Sequence, residues 1–162
     1  MGEFDVVLSS TEQAICRFIA DERQRNKRKG GIEDKRYSGS AKLDLLGFSA
    51  EMAFCKWGDV YPDFLIHNYS GGADAVDRRG RRVDVKWSST EYLLAPRHKK
   101  KDQCDIFVLV KGDFPLFNMV GWMTEEELLD PRNVGEWFGK GKESYRIHKD
   151  NLRSMWSNTK KM

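Results

Sequence analysis

The stretch Gly72-Ala73-Asp74-Ala75-Val76-Asp77-Arg78-Arg79-Gly80-Arg81-Arg82-Val83-Asp84-Val85-Lys86-Trp87-Ser88 constrains the fold more than any other part of the chain. Arg79-Gly80 is a turn signal between two short runs that alternate in polarity, which specifies a β-hairpin. On its second strand Val83, Val85 and Trp87 point one way and Asp84, Lys86 and Ser88 the other, because successive strand side chains alternate faces. A three-residue loop, Arg78 to Gly80, with Gly80 in the left-handed conformation that such loops favour, sets Asp74 opposite Asp84. Two carboxylates and an ammonium then converge on one polar face. Like charges opposite each other on neighbouring strands repel, and crowded carboxylates need a cation to stay ionised. A hard divalent metal suits such a group; a solvated face on which Lys86 alone offsets two aspartates is the competing reading.

Composition narrows the setting. A chain of 162 residues fits one domain with a sizeable core, and 40% hydrophobic with 12% aromatic residues argues against wholesale disorder. The net charge is only +3, yet the basic residues cluster. Arg23, Arg25, Lys27, Arg28, Lys29, Lys35 and Arg36 crowd one stretch, Arg78, Arg79, Arg81 and Arg82 the hairpin tip, and Lys99, Lys100 and Lys101 a later loop. That distribution suits a polyanion as well as a solvated surface. Cys16, Cys55 and Cys104 stand far apart without zinc-site spacing. With no apolar leader and no apolar run of membrane length, the expectation is a cytoplasmic protein with no membrane partner.

In chain order, helical spacing of Ala14, Ile15, Phe18 and Ile19 predicts a helix over residues 11–23, capped by a hydroxyl near Ser10, followed by a basic loop over 25–40. A second helix is expected over 41–57, with an apolar stripe from Leu43 to Trp57 and with Gly47 and Ala50 small enough for close approach to a sheet. Glu51 falls at the edge of that stripe, where a carboxylate needs a partner: Lys56 or an arginine, or a role in a site. Strands are expected over 60–66, in the hairpin, over 105–110 as a run buried on both faces, and over 117–123, with a turn over 68–72. Residues 92–95 fit an edge strand or a helical turn. An acidic first turn starts a short helix at Thr124, and the tail adds a strand near Tyr145 and a last helical turn near Asn151.

With this order of elements, Glu51 on a helix, Asp74 at the start of one strand and Asp84-Val85-Lys86 on the next resemble the PD-(D/E)xK nuclease superfamily. Gly47-Phe48-Ser49-Ala50-Glu51-Met52-Ala53 resembles the Gly-x-x-x-Glu-x-Ala helix of some members, and Gly121-Trp122-Met123-Thr124 before an acidic helix is similar to phage and restriction-type members. The resemblance spans residues 43–129 and leaves 1–42 (helix and basic loop) and 130–162 (C-terminal extension) outside it. It implies an α/β fold with a restriction-endonuclease-like core, a central mixed sheet of about five strands flanked by helices. It implies a metal-dependent DNA nuclease using Mg²⁺, with Mn²⁺ as a substitute, in which Asp74, Asp84, the Val85 carbonyl and Glu51 hold the metal and Lys86 orients or deprotonates the attacking water. The chain departs from the family pattern in having Ala73 before Asp74, while its literal Pro-Asp pair is Pro62-Asp63, so Asp63 is a rival ligand; Asp77 is a poorer one. Lys27, Arg28, Lys29, Arg79, Arg81, Ser88, Lys99 and Lys100 are the expected nucleic-acid contacts. His67, His98 and His148 are isolated and given no catalytic part. A junction-resolving homodimer and a catalytically silent DNA-binding module are the alternatives.

Overall fold

The computed structural model describes residues 2–29, 40–66 and 72–156, with backbone alone at 27–29 and 40. Strand β1 (Asp5–Val7) precedes helices α1 (Ser10–Lys29) and α2 (Ser40–Gly58). Then come β2 (Ala75–Val76), β3 (Arg82–Trp87), β4 (Tyr92–Pro96), β5 (Ile106–Asp113), β6 (Leu116–Thr124), the one-turn α3 (Glu125–Leu128), β7 (Val134–Gly135) and β8 (Ser144–His148). Five strands form a mixed sheet in the order β1-β6-β5-β3-β2, flanked by the helices, and β4-β8-β7 form a second sheet. Among the described residues only β3 and β5 run parallel, so the chain must cross back between them. Here β4 and the loop over 97–105 make that crossover. Among the described residues no helix is long and apolar enough to cross a membrane.

The alternation of β5 explains its unbroken apolar run. Ile106, Val108 and Val110 pack with Val83, Val85, Phe54 and Ala50 beneath the helices, while Phe107 and Leu109 pack with Leu93, Leu128 and Tyr145 on the opposite face. A strand covered on both sides needs no polar face.

Several expectations require correction. Helix α1 continues to Lys29, so Arg25 to Lys29 are helical and not loop; arginine, glutamine and lysine are good helix formers and no glycine intervenes before Gly30. Its cap is Ser9, whose Oγ accepts the Glu12 N–H at 3.2 Å while the Glu12 carboxylate accepts the Ser9 N–H at 2.6 Å, a reciprocal capping box. Phe18 is exposed, the buried face being Cys16, Ile19 and Ala20, and Leu43 is likewise exposed on α2. A Cβ at Gly47 would meet nothing within 4 Å, whereas one at Gly121 would lie 2.8 Å from the Arg153 carbonyl oxygen, so close approach requires glycine at Gly121 and not at Gly47. No strand forms over 60–66. Pro62 removes a ladder donor, and the Arg23 guanidinium takes the Asp63 and Leu65 carbonyls at 3.1 and 3.2 Å. Residues 92–95 belong to β4. The expected turn over 68–72 and the basic segment over 30–39 lie wholly or mostly outside the described residues, as does His67.

Candidate functional site

The hairpin forms in the expected register, with Ala75 paired to Val83 and Val76 to Arg82. Asp77 N–H donates to the Arg81 carbonyl at 2.9 Å, and Gly80, at φ 79°, closes the three-residue loop. Asp77 is a fold residue. Its buried carboxylate accepts the Arg79 and Arg81 backbone N–H groups, both at 2.9 Å, and pairs with Arg81 Nε at 2.8 Å. Arg81 in turn lies over the rings of Trp122 and Trp156, at 5.0 and 4.5 Å.

Beyond the hairpin ladder, Asp74 straddles Asp84. Its N–H donates to the Val83 carbonyl at 2.9 Å and its Oδ2 accepts the Val85 N–H at 2.7 Å. The Val85 carbonyl shares the edge of β3 from which that N–H points. Val83 and Val85 face the helices, so Asp84 and Lys86 face the other way. Asp84, only 2% exposed, is met by two ammonium groups: Lys86 Nζ lies 2.8 Å from Oδ1, and Lys99 Nζ 2.7 Å from Oδ2. The Lys86 contact is close but poorly directed, leaving Oδ1 without a well-aligned hydrogen bond. Glu51 approaches from α2 and pairs with Arg23 at 3.5 Å; Lys56 pairs with Glu12 instead.

Electrostatics bind these groups together. Burial, then the nearby Asp84 charge, push the Asp74 carboxyl up to about 7, against smaller opposing effects of Lys86 and the Val85 N–H. Burial and then Asp74 raise Glu51 well above the usual carboxylate range, with Arg23 opposing and Asp84 adding to the rise. Burial alone would depress the Lys86 ammonium, but Asp84, with Asp74 and Glu51 behind it, more than offsets this and raises it above the ordinary lysine value. Three carboxylates therefore share one field, Glu51 from the helix layer, Asp84 from the far face of β3 and Asp74 at the edge between them. Among the described residues no basic group pairs directly with Asp74, and no three His, Cys, Asp or Glu side chains already stand at coordinating distance of one another.

The remaining candidates divide. Asp63 lines an open groove together with Asp74, but its Oδ1 accepts the Leu65 N–H at 2.9 Å. Ser88 is buried and bonded to Thr90. Arg81 is committed to Asp77, Arg79 lies 6.0 Å from the Trp156 ring, and Lys100 is exposed. The side chains of Lys27, Arg28 and Lys29 lie outside the described residues. Lys99 moves from an expected backbone contact to a partner of Asp84. Its loop is held by Glu125, a buried carboxylate that accepts the N–H groups of Asp102, Gln103 and Cys104 at 2.5, 3.2 and 3.0 Å. Nothing in the sequence singles out Lys99 among its lysine neighbours; the contact spans fifteen residues and exists only through the crossover. No family model, curated protein or solved structure matches the chain.

Proposed function

We propose that the chain is a metal-dependent phosphodiesterase acting on DNA, within a restriction-endonuclease-like α/β core. The observation that carries the reading is the half-buried Asp74 bonded across to β3 beside the buried Asp84, which Lys86 and Lys99 meet. The donor set fits a hard divalent cation such as Mg²⁺ or Mn²⁺: Asp74 and Asp84, the Val85 carbonyl on the same strand edge, and Glu51 directly or through water. Such a cation, when bound, neutralises a phosphate oxygen and brings the pKa of a bound water toward neutrality.

The chain's own residues divide the remaining tasks. Lys86, whose ammonium form Asp84 favours, is placed to orient the attacking water or to offset the charge that develops on phosphate. Arg23 holds Glu51 and is itself fixed by two carbonyls and the Phe48 ring, 4.7 Å away. Among the described residues Asp74, at the edge, has no direct cation of its own, and it is the group most in need of one.

One observation favours a second reading. Glu51, Asp74 and Asp84 are matched in number by Arg23, Lys86 and Lys99, so the cluster is self-balanced, as suits a silent DNA-binding module. The discriminating experiment incubates linear duplex, single-stranded and branched DNA with wild type, Asp84→Asn and Lys86→Met, in Mg²⁺ or EDTA. Cleavage should require metal and fall by at least about 10²-fold in each variant while circular dichroism stays native. Wild-type cleavage that persists in EDTA rejects the metal, and absence of any cleavage alongside salt-dependent binding rejects the enzyme.

A further inference from the structure

We infer that the β7–β8 loop, residues 136–143, together with the loop over 97–101, forms a platform for an unpaired DNA strand. The inference deepens the phosphodiesterase reading and rests on it for the direction in which the strand runs, toward Asp84; strand binding itself can be tested apart from cleavage.

The second sheet brings the two loops together. Pro96 pairs with Ser144 in the β4–β8 ladder, so the chain leaving β4 and the chain entering β8 lie at one end of that sheet. Arg97 spans them, with its Nε 3.5 Å from Glu143 and its Nη1 2.7 Å from the Tyr145 hydroxyl. Two residues further along, Lys99 reaches Asp84. The platform is therefore continuous with the candidate site.

Its chemistry is aromatic and charged: Glu136 and Glu143 balance Lys140 and Lys142 within the β7–β8 loop, and the cationic excess comes from the loop over 97–101. Phe138 is 57% exposed, next to Trp137 at 41%. Trp137 is braced: its Nε1 donates to the Ser144 carbonyl at 3.0 Å, and the Arg146 guanidinium lies between its ring, at 3.8 Å, and that of Tyr92, at 4.0 Å. That brace anchors the loop beside an outward Phe138, which takes no part in either buried apolar cluster among the described residues. Lys140 and Lys142 follow, exposed, separated by Gly139 and Gly141 at φ 122° and 77°. A Cβ at either glycine would meet nothing within 4 Å. Backbone conformation, not crowding, is what glycine serves there. Lys100, exposed, supplies positive charge on the neighbouring loop, whereas Lys101 lines a groove with Asp102, Glu125 and Glu126. An exposed aromatic ring flanked by cations is how proteins hold single strands: a base stacks on the ring and lysines track the backbone phosphates. Paired bases in a duplex keep their faces stacked on each other and offer none to Phe138, so the partner is a single strand or a frayed end.

Fluorescence anisotropy in EDTA with a labelled single-stranded oligonucleotide and a blunt duplex of equal length tests this without any catalysis. Phe138→Ala should weaken single-strand binding roughly 5- to 150-fold, with an unchanged salt slope and little effect on the duplex. Lys140→Ala with Lys142→Ala should lower the slope of log affinity against log salt by about 1.4, at about 0.7 per phosphate contact. These results stand whether or not the wild type cuts DNA. Unchanged affinity and slope in native-folded variants overturn the platform even if metal-dependent cleavage is observed. Loss of a dimer in Phe138→Ala, seen by sedimentation with strand affinity intact, also overturns it by assigning the ring to a second copy of the chain.

Discussion

Asp74 concentrates the physics of this protein in one side chain. A carboxyl held at about 7 in the fold and near 3.9 in the unfolded chain binds its proton more tightly when folded. Its contribution to stability is thus fully present below the unfolded value and is lost as pH rises through about 7. Replacing it by asparagine keeps an acceptor for the Val85 N–H and removes the titration. We expect Asp74→Asn to gain stability relative to wild type as pH is raised from 5 to 8, by on the order of 2–4 kcal/mol. Urea unfolding at several pH values measures the difference directly. A stability difference that stays flat across that range means Asp74 ionises freely and the cluster is not coupled.

At the scale of the element, the hairpin was legible because its information is local. Arg79-Gly80 sets the loop length, and loop length sets the register that brings Asp74 to Asp84. The same holds for β5, whose run from Ile106 to Val110 announces cover on both faces. What the sequence hid is long-range. Helix α1 beyond Arg23 has no apolar periodicity to reveal it, residues 60–66 look strand-like yet find no partner, and Lys99 meets Asp84 only through the crossover. As a ligand Asp77 is a poor candidate, but an aspartate at the start of a three-residue loop can accept the N–H groups that follow it. Its three hydrogen bonds, one of them to the Arg81 side chain, predict that Asp77→Ala lowers the unfolding free energy by about 2–3 kcal/mol. Asp77→Asn, which keeps one acceptor for the two backbone N–H groups, should lose less. Equal midpoints for the two variants in urea would place the stabilisation elsewhere, for instance in the Arg81 stack on Trp122 and Trp156.

For the whole molecule, the layers meet where like charges are least comfortable. The helices contribute Glu51, the sheet edge Asp74, the strand's far face Asp84 and the crossover loop Lys99, so anything that relieves the carboxylates should stabilise all of these elements at once. A ligand bound only by the folded state stabilises by RT ln(1 + [L]/Kd), about 2.7 kcal/mol at one hundred times Kd. For a chain of this size that is a rise in Tm of roughly 5–10 °C. Divalent cation must also displace the proton held by Asp74, because ligating carboxylates bind deprotonated. Mg²⁺ or Mn²⁺ should therefore raise Tm at pH 8, whereas at pH 5.5, about 1.5 pH units below the folded Asp74 value, affinity should fall by roughly 30-fold and most of the shift with it. In Asp74→Asn the shift should be smaller and its pH dependence weaker, with Glu51 the remaining carboxyl raised above its usual range. Calorimetry near pH 6.5 in two buffers of different ionisation enthalpy should register about one proton released per cation bound. If neither cation moves Tm at pH 8, the three carboxylates are satisfied by Arg23, Lys86 and Lys99 alone, and the cluster holds the layers together without holding a metal.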